Sequence, residues 1–196
     1  MPDTQVCPIP LPIVLATARL SLRPFQAADI PAFAAYRSDP EVARYQSWEA
    51  PYTLAQAEQF VTEMSAMQSI PLDTWYQLAI ERRGHSPIIG DCAFRILPDD
   101  GQQAKIGFSL ARAYQGQGYA SEAVRGLLDY LFGDLGLHRV RAVCDAENEA
   151  SSRLLERIGL RREAHYVENI WFKGRWGSEY AYAVLAGEWP IGRNNG

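Results

Sequence analysis

Two glycines, Gly116 and Gly118, stand directly before a strongly amphipathic segment, residues 120–132. The apolar residues of that segment recur at helical intervals, whereas those of residues 105–110, before the glycines, alternate as in a strand. Glycine permits close backbone approach and left-handed dihedral angles, and a helix N-terminus adds free N–H groups and the positive end of a dipole. The sequence therefore predicts a strand, a glycine loop and a helix that together bind a phosphate group.

Two widespread phosphate loops do not fit this pattern. A P-loop has Lys and then Ser or Thr after its last glycine, where this chain has Tyr119 and Ala120. A dinucleotide-binding loop has glycine or alanine where Ser121 stands, and residues 111–114 separate the present loop from its strand. A nucleotide-binding protein remains an alternative, and ATP or NAD would then protect it against heat.

The pattern Gln-x-x-Gly-x-Ala, at Gln115, Gly118 and Ala120, resembles the pyrophosphate-binding signature of the GNAT N-acetyltransferase superfamily, which binds acetyl-coenzyme A. A second block begins at Asn148-x-x-Ser151 and continues as Leu-Leu-Glu-x-x-Gly-Leu. It resembles the branch that acetylates the N-termini of ribosomal proteins at alanine or serine. By itself the second block also reads as an amphipathic helix capped by asparagine. Both blocks in this order favour the family.

The resemblance extends over residues 17–189 and implies one N-acetyltransferase domain, preceded by an extended, proline-rich leader, residues 1–16, and followed by a tail, residues 190–196. The implied fold belongs to the α+β class, with an α/β/α arrangement. It is a GNAT-like, mostly antiparallel mixed sheet flanked by helices, with a parallel, splayed strand pair at the acetyl-CoA site. Residues 39–48 resemble the segment that shapes the acceptor side of the cleft.

The resemblance also implies the site. The residues expected to bind acetyl-CoA are Phe108, Ser109, Leu110, Gln115, Gly116, Gln117, Gly118, Tyr119, Ala120, Asn148 and Ser151. The resemblance implies three catalytic roles. The backbone N–H of Leu110 stabilises the oxyanion, Ser151 assists the departing thiolate, and Glu168 acts as general base through a water. Lesser candidates for the base are Glu163 and His165.

The implied reaction moves an acetyl group from acetyl-CoA, the co-substrate, to a primary amine by direct attack in a ternary complex. A different route would pass through an acetylated Cys144. The acceptor implied is a protein or peptide N-terminus, with a small amine such as a polyamine, aminoglycoside or amino acid as the alternative. A non-catalytic CoA-binding module is a further alternative. Five aromatic residues either line the acceptor cleft or belong to the core: Trp48, Tyr52, Trp75, Trp171 and Trp176.

Composition is that of an ordinary globular protein. The 196 residues are 47% apolar and 21% charged, enough for one sizeable core. The net charge of −4 argues against a nucleic-acid partner, and no apolar stretch reaches membrane-spanning length. The three cysteines are scattered and lack metal-ligand spacing, so no metal is expected. They favour a reducing compartment, and a cytoplasmic location is expected. The oligomeric state stays open, although relatives are often homodimers.

Overall fold

The computed structural model describes residues 9–190, and most of their strands form one sheet. The eight strands of that sheet are Leu15–Ala16 (β2), Leu20–Arg23 (β3), Tyr76–Arg82 (β5), His85–Ile96 (β6), Gln103–Leu110 (β7), Arg139–Asp145 (β8), Arg161–Phe172 (β9) and Arg175–Leu185 (β10). Two further short strands, Ile9–Pro10 (β1) and Ser69–Ile70 (β4), pair with each other.

The strands lie across the sheet in the order β2-β3-β5-β6-β7-β8-β10-β9. Neighbouring strands run antiparallel except for β7 and β8, which run parallel. The predicted α+β class, with a mostly antiparallel sheet and one parallel pair beside the glycine loop, is confirmed. β9 lies at one edge, and most of its residues are exposed.

Helices cover both faces of the sheet. They are Ile30–Arg37 (α1), Pro40–Ala43 (α2), Leu54–Ala66 (α3), Tyr119–Asp129 (α4) and Glu149–Ile158 (α5). Leu78 and Ile80 of β5 pack in one apolar cluster with α4 and α5, while Ala79 between them packs with α1 and α3. Because successive strand residues point to opposite faces, the two helix pairs lie on opposite sides of the sheet. No helix within residues 9–190 has the length and apolar character that crossing a membrane requires.

Local sequence explains where several helices begin and end. Thr53 and Gln56 form a capping box at the start of α3, as their types and spacing predict. Gly159 ends α5 in the left-handed conformation, with φ of 104°. The predicted helix over residues 120–132 is α-helical only to Asp129, and a π-helical turn, Tyr130–Asp134, follows it. The apolar face of this helix is buried as predicted.

Residues 9–16 of the predicted leader are extended and pack on the domain. β1 pairs with β4, β2 pairs with β3, and Ile9 and Ile13 are buried in the main core. The rest of the predicted leader, residues 1–8, lies outside the described residues, as does most of the predicted tail, residues 191–196.

Candidate active site

The parallel strands β7 and β8 separate before they end. Their pairing stops where Ile106 lies opposite Ala142. Beyond that point β7 stays paired with β6 as far as Leu110, and β8 stays paired with β10 as far as Asp145. Since each strand follows its outer neighbour, a wedge-shaped opening forms between them.

The backbone of β7 directs polar groups into this opening at every second residue. The N–H of Ala111 donates to the carbonyl of Ile89 at 2.8 Å, which fixes the register of hydrogen bonds with β6. Bonded and non-bonded pairs alternate along an antiparallel ladder, so Leu110 and Phe108 direct their N–H and C=O groups away from β6. These groups can pair with an extended ligand, and the N–H groups can polarise a carbonyl.

Gly90 of β6 lets the end of β7 approach closely. A Cβ atom at this position would lie 2.3 Å from the carbonyl oxygen of Ser109 and 3.0 Å from the Cα atom of Leu110. Both neighbours are backbone, so a larger residue would displace the end of β7 together with the Leu110 N–H. Sequence reasoning missed Gly90, because its role depends on the register between two strands.

The glycine loop has the backbone that its sequence predicts. A turn of 3-10 helix, Arg112–Tyr114, follows β7. Gly116 and Gly118 then adopt φ angles of 73° and 81°, which other residues rarely accept, and α4 begins immediately afterwards. The N–H groups of residues 119–121 belong to the first turn and have no helical partner. Since no side chain caps the helix at Gly118, these groups can bind an anion.

Side chains from within and outside the loop hold it in shape. The Gln115 amide donates to the carbonyl of Leu110 at 2.9 Å, and the Gln117 amide donates to the carbonyl of Ala113, also at 2.9 Å. Arg19 reaches across from the start of β3 and donates to the carbonyl of Gln117 at 3.1 Å. Both side-chain amides are therefore bonded to the protein's own backbone, and the loop offers main-chain N–H groups to a ligand.

A half-buried carboxylate fastens α4 to the N-terminal part of the domain. Glu122 accepts hydrogen bonds from the Thr17 hydroxyl at 2.6 Å and from both the backbone and the side chain of Arg19 at 2.7 and 2.6 Å. Burial raises the pKa of Glu122, but these donors outweigh burial and hold the pKa below its ordinary value. The guanidinium of Arg19 also lies over the ring of Tyr119 at 4.4 Å.

The wedge and the loop open into one cleft of about 910 Å³. Every residue predicted for the site lines it except Gln117 and Glu168. The predicted residues that line the cleft are Phe108, Ser109, Leu110, Gln115, Gly116, Gly118, Tyr119, Ala120, Asn148 and Ser151. The segment at residues 39–48 contributes Glu41, Val42, Tyr45 and Gln46.

Three arginines in the cleft were missed from the sequence. Arg153 and Arg157 are four residues apart on α5, so they share one face of that helix, and Arg112 follows β7. Arg157 donates to the Ser121 hydroxyl at 2.7 Å, and Arg112 is paired with Asp39 at 2.9 Å. The four-residue spacing of Arg153 and Arg157 could have revealed this feature in the sequence. It indicates a positively charged wall suited to phosphate groups.

The N-terminus of α5 faces the same cleft. Asn148 is its N-cap, as predicted, and its side-chain oxygen accepts the backbone N–H of Ser151 at 3.1 Å. The Asn148 NH₂ group and the Ser151 hydroxyl take no part in that cap. Both can donate to a ligand, in the positive field of the helix N-terminus.

Glu168 lies on the exposed edge strand, at an irregularity in the pairing of β9 with β10. Residues 167–169 bulge opposite the single residue Ser178, and Glu168 has a φ of 47°. Its backbone N–H donates to the Ser178 hydroxyl at 2.9 Å. The Ser178 carbonyl in turn accepts the N–H of Ala146, two residues before Asn148.

The other candidates for proton transfer or acyl transfer lie elsewhere. Arg139 donates to Glu163 at 3.1 Å, and this bonding lowers the pKa of Glu163. His165 packs against a tyrosine ring of β10. The thiol of Cys144 lies 3.5 Å from the Ser152 hydroxyl on the core side of β8, and burial raises its pKa. None of the three lines the described cleft.

The aromatic candidates are divided between core and surface. Trp48 and Tyr52 are half-buried and pack against the apolar cluster of α1 and α3, where Trp48 lies 3.9 Å from the buried guanidinium of Arg37. Trp75 lies over an arginine of β6, while Trp171 and Trp176 pack on each other at the exposed β9–β10 hairpin. The described cleft is lined by other residues.

A comparison with protein families supplies the decisive observation. A family model described as an acetyltransferase (GNAT) domain matches residues 19–161. The chain belongs to the GNAT acetyltransferase family. Relatives that match two thirds or more of its length include several named N-acetyltransferases, and the chain is therefore an acyltransferase.

Some relatives of this GNAT domain match most of its length, and others match about half of it. It is 33% identical over 175 residues to the uncharacterized N-acetyltransferase YnaD of Bacillus subtilis (strain 168), covering 89% of this chain and 98% of that protein. It is 27% identical over 88 residues to the ribosomal protein uS5-alanine N-acetyltransferase of Escherichia coli (strain K12), covering 45% of each. A crystal structure of a GNAT-family acetyltransferase from Bacillus anthracis matches with a TM-score of 0.80 at 30% identity, covering 90% of this chain and all of that one.

Proposed function

We propose that this GNAT domain transfers the acetyl group of acetyl-CoA to the N-terminal amine of a protein or peptide. The observation that supports the use of acetyl-CoA is the junction of two features in one cleft. Strand β7 directs backbone groups into an open wedge, and the adjoining loop presents uncapped N–H groups at the start of α4. A long ligand with an amide-bearing arm and a diphosphate fits both features at once.

The parts of the cleft then take separate tasks. Phe108 and Leu110 pair with the pantetheine arm of the co-substrate as a strand would. The amides of residues 116–120 hold its diphosphate, assisted by the charge of Arg153 and Arg157. Asn148 donates to the arm near the thioester.

The chemistry follows from the order of these groups. A neutral amine attacks the thioester carbon, and the negative charge that develops on the thioester oxygen is stabilised by the N–H of Leu110. The carbon–sulfur bond breaks, and the Ser151 hydroxyl donates a hydrogen bond to the departing thiolate. The field at the N-terminus of α5 favours the same negative charge.

The amine must lose a proton, because an α-amine has a pKa of about 8 and is largely protonated at neutral pH. We assign this step to Glu168 acting through a water. Its bulge connects through Ser178 to Ala146, at the approach to Asn148. Because Glu168 lies outside the lining of the cleft, its carboxylate can accept the proton of the amine only through a bridging water.

The acceptor is assigned from the charge of the cleft. Among the described residues that line it, Glu41 is acidic, whereas Arg112, Arg153 and Arg157 are basic. A polyamine or aminoglycoside carries several positive charges and calls for an acidic pocket, whereas a peptide N-terminus carries one. The similarity to an E. coli enzyme named a ribosomal protein uS5-alanine N-acetyltransferase supports a protein acceptor.

One observation favours a small cationic amine as the second candidate. Asp145 at the end of β8 lies directly opposite Glu179 of β10. Like charges in such a pair repel each other, so a cation between them is favoured. Arg175 lies 3.8 Å from Asp145 and is the cation nearest to the pair among the described contacts.

Thiol release from acetyl-CoA tests the proposed function. Peptides that begin with Ala or Ser should release thiol and gain one acetyl group at the N-terminus, located by fragmentation in mass spectrometry. The same peptides with a blocked N-terminus, and with their lysines left free, are the matched controls and should give no release.

Three other outcomes are distinct. Release with polyamines or aminoglycosides alone would assign the enzyme to small amines. Thermal protection by CoA without release for any amine would leave a CoA-binding module. Protection by ATP or NAD in place of CoA would contradict the proposal at its first step.

A further inference from the structure

The two glutamines of the glycine loop make the same kind of bond to different partners. Each side-chain amide donates to a backbone carbonyl at 2.9 Å. The carbonyl that Gln117 reaches, on Ala113, belongs to the loop itself. The carbonyl that Gln115 reaches, on Leu110, belongs to the strand residue whose N–H faces the wedge.

The Gln115 bond completes the fixation of one peptide unit. The peptide that joins Leu110 to Ala111 has its N–H bonded to the carbonyl of Ile89 at 2.8 Å. Its carbonyl points the opposite way, as in any trans peptide, and there it meets Gln115. Both ends of this unit are therefore tied.

The preceding peptide unit, from Ser109 to Leu110, carries the N–H assigned to the oxyanion. Its carbonyl oxygen lies against Gly90, where a Cβ atom would approach to 2.3 Å. Contact with β6 thus limits movement on one side, while Gln115 limits rotation on the other.

We propose that Gln115 is a positioning residue, which orients the Leu110 backbone for oxyanion stabilisation and does not bind the pyrophosphate through its side chain. The proposal rests on the proposed function of the cleft. It gives Gln115, which the sequence places among the cofactor-binding residues, a different task, since its backbone N–H already donates to the carbonyl of Arg112 at 3.2 Å. Diphosphate binding at the loop and oxyanion stabilisation at β7 are then joined by one hydrogen bond.

The direction of that bond has a chemical consequence. The Leu110 carbonyl faces the wedge on the same side as its N–H. Without a donor, its partial negative charge would lie beside the thioester oxygen that the N–H must stabilise. The Gln115 amide covers this carbonyl and leaves the N–H as the exposed group.

Gln115→Met tests the role, with Gln59→Met as the matched control, because the Gln59 amide is exposed on α3, outside the cleft, and donates to Glu63 at 2.8 Å. Methionine keeps the length of the side chain and removes the donor. Steady-state kinetics with acetyl-CoA, and the Kd of CoA, should separate two effects. For Q115M, kcat should fall about 10- to 100-fold, less than the cost of deleting an oxyanion donor, while the Kd of CoA changes less than about threefold. For Q59M both values should stay within about twofold of the wild type.

Conservative variants separate positioning from loss of structure. Gln115→Arg keeps a donor on a long stem and should restore most of kcat. Should Q115M fail to fold, Gln115→Asn makes the same test, because it keeps the amide but is one methylene too short to reach Leu110.

The amide signals of Leu110 and Ala111 in NMR spectra of the CoA complex give a readout independent of turnover. They should shift in Q115M and remain in place in Q59M. If the wild type releases no thiol with any amine, the proposed function fails, and these signals still decide the role of Gln115. A Kd for CoA that rises as much as kcat falls, an unchanged kcat, or equal effects of Q115M and Q59M would overturn the proposal.

Discussion

Ser151 shows how one side chain acquires a function from the backbone around it. Its own N–H is bonded to the Asn148 cap, which fixes the first turn of α5 beneath it. Its hydroxyl then lies in the cleft, at the end of a helix whose dipole favours an anion. A departing thiolate is such an anion, so the serine and the helix act on the same charge.

Replacing Ser151 by alanine should lower kcat about 10- to 100-fold and change the Kd of CoA less than about threefold. The loss is confined to kcat because the hydrogen bond to sulfur strengthens only as the thiolate forms. Single-turnover thiol release and CoA titration measure the two values.

Ser152→Ala is the matched control. Ser152 is the next residue of the same helix, but it is buried and lies 3.5 Å from the Cys144 thiol. Its kcat should equal that of the wild type. Equal activity of the Ser151 variant and the wild type would remove Ser151 from the mechanism.

At the scale of single residues, the sequence predicts local backbone features better than the direction in which a side chain points. The cap at Asn148 and the positive φ angles of Gly116 and Gly118 follow from local rules, because each depends on residues nearby in the chain. The direction of the Gln115 side chain and the need for glycine at position 90 do not. Both depend on how β7 is aligned with β6 after folding.

At the scale of elements, the site is a strand, a loop and a helix in immediate succession. Each supplies backbone groups: β7 its outward N–H groups, the loop its glycines, and α4 its uncapped first turn. Backbone donors keep their directions when side chains vary, and the strand and helix are both anchored in the main core.

Gly118→Val should raise the Kd of CoA at least about tenfold. Valine at a φ of 81° is strained by about 1–2 kcal/mol, and its Cβ would lie 3.3 Å from the Arg19 guanidinium that supports the loop. Relief of this strain moves the amides that bind the diphosphate. Isothermal titration with CoA gives the affinity, and thermal unfolding gives the stability.

Gly84→Val is the control for strain alone. Gly84 has a φ of 74°, lies in the turn between β5 and β6, and has open space where a Cβ would be. It should lose comparable stability and keep the wild-type affinity for CoA. If both variants lost affinity equally, the effect of Gly118 would reflect stability and not the loop.

At the scale of the whole molecule, the cofactor helix is fastened to the N-terminal part of the chain. The Glu122 carboxylate joins Thr17 and Arg19 to α4 across more than 100 residues of sequence. Arg19 continues this connection to Gln117 and Tyr119, so the glycine loop depends on a residue far from it in the chain.

Glu122→Gln should lower the free energy of unfolding by about 1–3 kcal/mol at pH 7. Because folding depresses the pKa of Glu122, its contribution is fully present above the unfolded value of about 4.3 and is lost as the pH falls through the lower, folded value. The difference between variant and wild type should therefore shrink below about pH 4. Urea unfolding at several pH values measures it.

Glu149→Gln provides the comparison. Glu149 pairs with Arg153 on the surface of α5, where both side chains are about three-quarters exposed. Such exposed pairs contribute little, so its unfolding curve should match the wild type at every pH. A Glu122 variant equally insensitive to pH would show that the connection to Arg19 adds no stability.

The overall architecture could be predicted from the sequence more fully than the N-terminal segment or the end of α4. Apolar periodicity and turn residues predict many of the helices and strands, since these patterns repeat along whole elements, and the resemblance to the GNAT superfamily implies the α+β class and the parallel pair. The packing of residues 9–16 on the core and the π-helical turn at Tyr130–Asp134 were not predicted. They result from contacts between distant segments, for which a single sequence carries no periodic signal.

A crystal structure of the complex with coenzyme A bears on every step proposed for the cleft. We predict diphosphate oxygens within about 3.2 Å of the backbone nitrogens of residues 116–120, and the CoA sulfur beside Ser151. A diphosphate bound elsewhere, with those amides occupied by the protein itself, would contradict the proposed function.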